Sequence, residues 1–110
     1  MPTPDEVEAF LREFHARMKV WGVLFHDKRE KNTTAVLELG ITRNQRIKVL
    51  EELTAMDYSE GPMKDWDVGP DLWVFGKELK EQELYIKITL GLNDAGGVVC
   101  ISFHPSERPM

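Results

Sequence analysis

Two segments in the last third of this chain alternate apolar and polar residues, and no other feature restricts the fold as much. The first is Leu84-Tyr85-Ile86-Lys87-Ile88-Thr89-Leu90 and the second Val98-Val99-Cys100-Ile101-Ser102-Phe103-His104. Side chains two apart on a strand share a face. Leu84, Ile86, Ile88 and Leu90 therefore fall on one face of the first strand, with Glu83, Tyr85, Lys87 and Thr89 on the other. In the second strand Val99, Ile101 and Phe103 face one way, and Cys100, Ser102 and His104 the other. The short loop Asn93-Asp94-Ala95-Gly96-Gly97 predicts an antiparallel hairpin. Closed symmetrically, it sets Tyr85 opposite His104 and Lys87 opposite Ser102. A phenol, an ammonium and an imidazole on one sheet face mark a candidate site.

The chain of 110 residues is expected to form one domain, 1–110, with one core. No apolar run approaches the roughly 20 residues of a membrane span. The start, Met1-Pro2-Thr3-Pro4-Asp5-Glu6, lacks the basic and apolar regions of a signal peptide. Its single cysteine, Cys100, cannot form an internal disulfide and fits a reducing compartment, so the expected localisation is cytoplasmic. A net charge of −5 argues against nucleic-acid binding through the whole surface and leaves room for a local basic patch.

Thr3-Pro4-Asp5-Glu6 is a helix start: a capping threonine, proline at the first helical position and glutamate at the third. Val7, Phe10, Leu11, Phe14 and Met18 continue at helical spacing to about Lys19. Residues 20–25 read as a strand, and Asn32-Thr33-Thr34 as the cap of a short second helix that Gly40 ends. Thr42-Arg43-Asn44-Gln45 opens a third helix through Ile47, Leu50 and Leu53. Residues 57–71, with Gly61-Pro62 and Gly69-Pro70, read as a long irregular connection, and Leu72-Trp73-Val74-Phe75-Gly76 as a strand. The expected fold class is α+β: N-terminal helices packed on one face of a mostly antiparallel sheet.

Each candidate residue has a plain structural role as well as a chemical one. His104 is a strand-end histidine, or a group whose proton exchange near neutral pH suits acid–base chemistry. Lys87 keeps a sheet face hydrated, or places a fixed charge beside a phosphate. Tyr85 packs, or stacks a base. Arg43, Arg46 and Lys48 crowd the first turns of one helix, where Glu51 and Glu52 stand within a turn of Lys48 and favour a solvated, salt-bridged face, and where free N–H groups favour an anion. His15, His26 and His104 show no ligand spacing, and Asp65, Asp67 and Asp71 have no partner at a recognisable interval, so no metal or other cofactor is expected. Cys100, on the Lys87 face, is expected to be a small, half-buried residue.

Gly40-Ile41-Thr42 leading into a helix with Lys48, then Trp73-Val74-Phe75-Gly76, Leu84-Tyr85-Ile86-Lys87-Ile88 and Ile101-Ser102-Phe103, resembles the MqsR-type toxins of bacterial toxin–antitoxin pairs. The likeness spans about residues 40–104 and is strongest in the Tyr-x-Lys strand and the closing Ser-Phe strand. It implies a RelE-like fold, messenger-RNA cleavage without metal, and inhibition by a tightly bound cognate antitoxin. By position, Lys48 matches the family's helix lysine, Tyr85 its strand tyrosine and Lys87 the lysine two residues on. His104 stands after Ser-Phe where the family can carry a lysine, and the family's glutamine falls near Leu72–Trp73, which offers no amide.

The reading that follows is a metal-independent endoribonuclease acting on messenger RNA, free or ribosome-bound. The ribose 2′-OH attacks the adjacent phosphate and leaves a cyclic phosphate, so the protein must take a proton, give one and stabilise negative charge. His104 is the expected acid or base. Lys87 and Lys48 are the expected phosphate-stabilising cations, Tyr85 orients the phosphate or stacks a base, and Arg43, Arg46 and Arg108 contact the RNA backbone. The alternative is a non-catalytic module of the same fold that holds a protein partner, with Trp66 and Trp73 as exposed aromatic anchors.

Overall fold

The computed structural model describes residues 2–26, 40–64, 71–79, 81–91 and 97–106. Helix α1 (Pro4–Trp21) starts where the sequence predicts. Thr3 Oγ1 accepts from the Glu6 amide at 3.2 Å, and the Glu6 carboxylate accepts from the Thr3 amide at 3.3 Å. The helix outruns its expected end and takes in Val20 and Trp21, which the apolar run assigns to a strand. Its end falls at Gly22, which adopts a φ of 86° and still donates to Met18 O at 2.8 Å. Left-handed backbone is cheapest at glycine, so Gly22 rather than the change of hydropathy sets the boundary. Strand β1 (Val23–Phe25) is correspondingly short.

Helix α2 (Arg43–Glu51) opens on the predicted capping box, Thr42 Oγ1 accepting from the Gln45 amide at 3.1 Å and Gln45 Oε1 from the Thr42 amide at 2.8 Å. The helix expected over 32–39 lies outside the described residues. A 3-10 turn (Ala55–Asp57) then leads into β2 (Tyr58–Met63). This strand corrects the expectation of an irregular connection. Gly61-Pro62 reads as a breaker, but among the described residues β2 is the last strand of the sheet, and an edge strand tolerates a missing donor. Its pairing with β3 is interrupted by two register shifts. Gly61 is needed there, since a Cβ would stand 2.7 Å from Leu72 O.

Strands β3 (Leu72–Leu79), β4 (Gln82–Thr89) and β5 (Val98–Pro105) complete a sheet ordered β1-β5-β4-β3-β2 among the described residues. Three of its pairings are antiparallel: β3–β4 and β4–β5, as the sequence predicts, and β2–β3, which it does not. The fourth, β1 with β5, is parallel, so the sheet is mixed. The α+β class and the mostly antiparallel sheet are therefore present, with one parallel edge that the sequence reading did not contain.

Within the β4–β5 hairpin Tyr85 faces His104 and Lys87 faces Ser102, as predicted. The next pair is Ile88 with Cys100, which leaves Ile101 as the extra residue of a β-bulge. The bulge reverses the expected facing of everything before it in β5. Val98 and Cys100 join the core beneath the helices, whereas Val99, paired with Thr89, stands on the Lys87 face. Cys100 is thus a fully buried core residue, and Ile101 is buried without belonging to that core. The Cys100 thiol points back to Ser102 O at 3.3 Å, across the bulge.

The core lies between the helices and one sheet face. Phe10 and Phe14 of α1 and Leu50 of α2 meet Phe75, Ile86, Ile88 and Phe103 of the sheet. Trp73 is not an exposed anchor: its ring stacks on Phe10 at 4.5 Å between centroids. The helices are pinned to each other by His15 Nε2, which donates to Leu50 O at 2.7 Å. His15→Ala removes this bond while Leu50 O keeps the Leu53 amide, so it should cost about 0.5–1.5 kcal/mol, measurable as a shift in the urea midpoint. No helix among the described residues is long and apolar enough to cross a membrane.

Candidate functional site

The face of the sheet away from the helices carries the candidate chemistry. Alternation along β4 puts Tyr85, Lys87 and Thr89 there, and β5 adds Ser102 and His104 from the far side of the bulge. Val74 of β3 pairs with Lys87 from the opposite flank and is fully buried. This is not a hydrated face. Lys87 and His104 are each 7% exposed, and Thr89 and Ser102 are 0% exposed. A lysine that only kept the sheet wetted would stand in solvent, so the plain reading of Lys87 fails.

Cross-strand pairing brings the Tyr85 and His104 rings into a stack, 5.3 Å between centroids and 17° between planes. The Lys87 ammonium lies 5.7 Å from the centre of the Tyr85 ring, within range of the ring's negative face. His104 Nδ1 is 2.9 Å from Pro105 O. A carbonyl can only accept, so Nδ1 carries the hydrogen, and in the neutral ring Nε2 is left as the basic nitrogen. The backbone thereby fixes the tautomer, while the stack fixes the ring plane. Such an imidazole is ready to take a proton at Nε2.

The other expected site residues lie elsewhere. Lys48 is exposed on α2, the helix whose Val49 and Leu50 belong to the core on the opposite side of the sheet. It shares no hydrogen bond or ion pair with the Tyr85–Lys87–His104 group. Arg43 and Arg46 fasten α2 to β1. The Arg46 guanidinium lies 4.0 Å and that of Arg43 5.2 Å from the Phe25 ring centre, and Arg43 donates to Val23 O at 3.0 Å. Arg46 is only 5% exposed, which makes it a packing cation rather than an open contact for RNA. Arg108 lies outside the described residues, as do Trp66, Asp65 and Asp67. Asp71 pairs with Lys64 at 2.7 Å. Among the described residues no three His, Cys, Asp or Glu side chains stand close enough to hold a metal.

Thr89 and Ser102 are the additions. Their hydroxyls are buried and have no hydrogen-bond partner. Alternation places both on the Lys87 face, but only the burial of that face distinguishes them from ordinary strand residues. Comparison with protein-family models, with curated proteins and with solved structures finds no match to this chain.

Proposed function

We propose that the protein is a metal-independent endoribonuclease, a messenger-RNA-cleaving toxin of the RelE-like class, held in check by a cognate antitoxin. The observation that carries this reading is the stacked Tyr85–His104 pair beside the Lys87 ammonium on one enclosed sheet face. His104 Nε2 takes the proton of the ribose 2′-OH as the 2′-oxygen forms its bond to phosphorus. The bond from phosphorus to the 5′-oxygen breaks, and that oxygen receives a proton from Tyr85 or from the imidazolium. Lys87 opposes the charge that builds on the phosphoryl oxygens, and low local polarity strengthens that opposition. Lys48, Arg43 and Arg46 are assigned no part in the chemical step. The resemblance in the Tyr-x-Lys and Ser-Phe strands supports the same reading.

Expression of the chain alone should arrest bacterial growth, and the purified protein should cleave messenger RNA equally with and without EDTA. Cleavage lost on chelation and restored by a divalent ion would transfer the chemistry to a metal site.

A second reading, a non-catalytic protein-binding module of the same fold, draws on another surface. Val20, Trp21 and Leu24 are 69%, 60% and 61% exposed where α1 passes into β1. Exposed apolar side chains grouped in this way suit a protein interface. Under that reading the folded chain neither arrests growth nor cleaves RNA.

A further inference from the structure

We propose that the trough between α1 and α2 binds an ω-amino carboxylate, a ligand with a carboxylate at one end, an ammonium at the other and an apolar stem between them. The inference does not draw on the nuclease reading, because the trough lies among the helices and His104 stands on the other face of the sheet.

The trough is a cavity of about 600 Å³. Small-molecule sites commonly enclose roughly 300–1,000 Å³. The two helices run antiparallel along it: His15 of α1 meets Leu50 near the end of α2, and Arg43 at the start of α2 meets Val23 just past the end of α1. His15 and Arg43 both line the cavity, and each ties its two walls together. His15 Nε2 donates to Leu50 O at 2.7 Å, and Arg43 donates to Val23 O at 3.0 Å. The trough is therefore held at both ends and preformed. Its apolar lining comes from Met18 and Val23, which are buried, and Ile47, which is half-buried.

The charges around that lining change sign from one end to the other. Arg43 and Lys19 stand toward the close of α1, and Glu51 with His15 toward the close of α2. Arg43 and Glu51 begin and end α2, about 12 Å apart at a rise of ~1.5 Å per residue, with Ile47 midway on the same stripe. Arg43 uses the face of its guanidinium on the Phe25 ring and one donor on Val23 O, out of the five N–H donors such a group carries. Lys19 and Glu51 make no hydrogen bond or ion pair among the described residues. As the last residue of α2, the Glu51 carboxylate also stands against the helix dipole, which favours a cation there. His15, with Nε2 on Leu50 O, keeps only Nδ1, an acceptor in the neutral ring. One end thus presents donors and positive charge, and the other acceptors and negative charge. A simple anion leaves Glu51 unmet, and a simple cation leaves Arg43 and Lys19 unmet. A molecule that answers both ends and covers the apolar middle is an ω-amino carboxylate. A free ω-amino acid and the final residue of a peptide ending in lysine share that chemistry.

The test is thermal unfolding of the whole chain against 6-aminohexanoate and Nα-acetyllysine, with hexanoate and hexylamine at matched ionic strength as controls. A zwitterion that fits should raise the melting temperature saturably, as a ligand of the folded state does, and the controls should not. Tighter binding of Nα-acetyllysine assigns a chain-terminal lysine as the ligand, and tighter binding of 6-aminohexanoate assigns a free ω-amino acid. Glu51→Gln and Lys19→Met change exposed side chains and should fold as the native chain does. Each should weaken zwitterion binding about tenfold or more, the effect of losing a charge-assisted hydrogen bond. Glu51→Gln should in addition bind hexanoate and 6-aminohexanoate alike, because the group that recognises the ammonium is gone. Lys48→Met removes an exposed lysine of α2 that does not line the cavity, and should leave binding unchanged. No saturable shift with either zwitterion, an equal shift with hexanoate in the native chain, or an equal loss in Lys48→Met overturns the inference.

Discussion

His104→Ala is expected to lower the rate of RNA cleavage by about 10²–10⁴-fold, the usual contribution of a positioned proton-transfer group. RNA affinity should change little, because the ring contributes a proton acceptor rather than a fixed charge. His104 already donates through Nδ1 to Pro105 O and stacks on Tyr85, so the variant loses two local contacts as well. Its melting temperature must therefore be measured beside its rate. Tyr85→Phe separates the two losses, since it preserves the stack and removes only the hydroxyl. A large fall in rate for Tyr85→Phe assigns the leaving-group proton to the phenol, and a small fall assigns it to the imidazolium. Lys87→Met keeps the buried stem and removes the charge, so cleavage should fall while folding persists. Full activity in His104→Ala would remove the histidine from the chemistry and return it to the role of a strand-end residue.

Much of this site was legible because period-two patterning is a local property. The pairs Tyr85–His104 and Lys87–Ser102 follow from counting outward from the loop at 93–97, and the register agrees. The capping boxes at Thr3 and Thr42 are equally local, and both helices start where those residues stand. What alternation cannot register is an extra residue. Nothing in Val98-Val99-Cys100-Ile101 distinguishes a strand with a bulge at Ile101 from one without, because all four side chains are small or apolar. Alternation alone therefore assigns Cys100 to the wrong face.

Long-range pairing was the other gap. The parallel union of β1 with β5 joins residues 23–25 to 98–100, and no pattern in either segment names the other. β2 escaped notice because Gly61-Pro62 outweighs four neighbours, whereas an edge position tolerates both residues. Sequence proximity makes Lys48, Arg43 and Arg46 one basic cluster. Only the packing of α2 shows that two of them are spent on the Phe25 ring while the third points into solvent. The burial of Lys87 is likewise a tertiary property, since its sequence neighbours are those of any lysine on an exposed strand.

The bulge itself yields the second large effect, because it exchanges the fates of two adjacent residues. Cys100 is fully buried among Phe25, Ile88 and Phe103 in the core, while Val99 stands half-buried on the opposite face. Cys100→Asp would bring a carboxyl group into the packed apolar core, and desolvating it there costs several kcal/mol even when the charge is met by protonation. Domains of this size hold roughly 5–15 kcal/mol in total, so Cys100→Asp should abolish folding or leave a broad, early urea transition. Val99→Asp should instead retain a cooperative transition with a midpoint close to that of the native chain. Uninterrupted alternation from Phe103 makes the opposite demand, with Val99 in the core and Cys100 outside it. A folded Cys100→Asp variant beside an unfolded Val99→Asp variant would therefore remove the bulge, and with it the placement of Thr89 opposite Val99 on the Lys87 face.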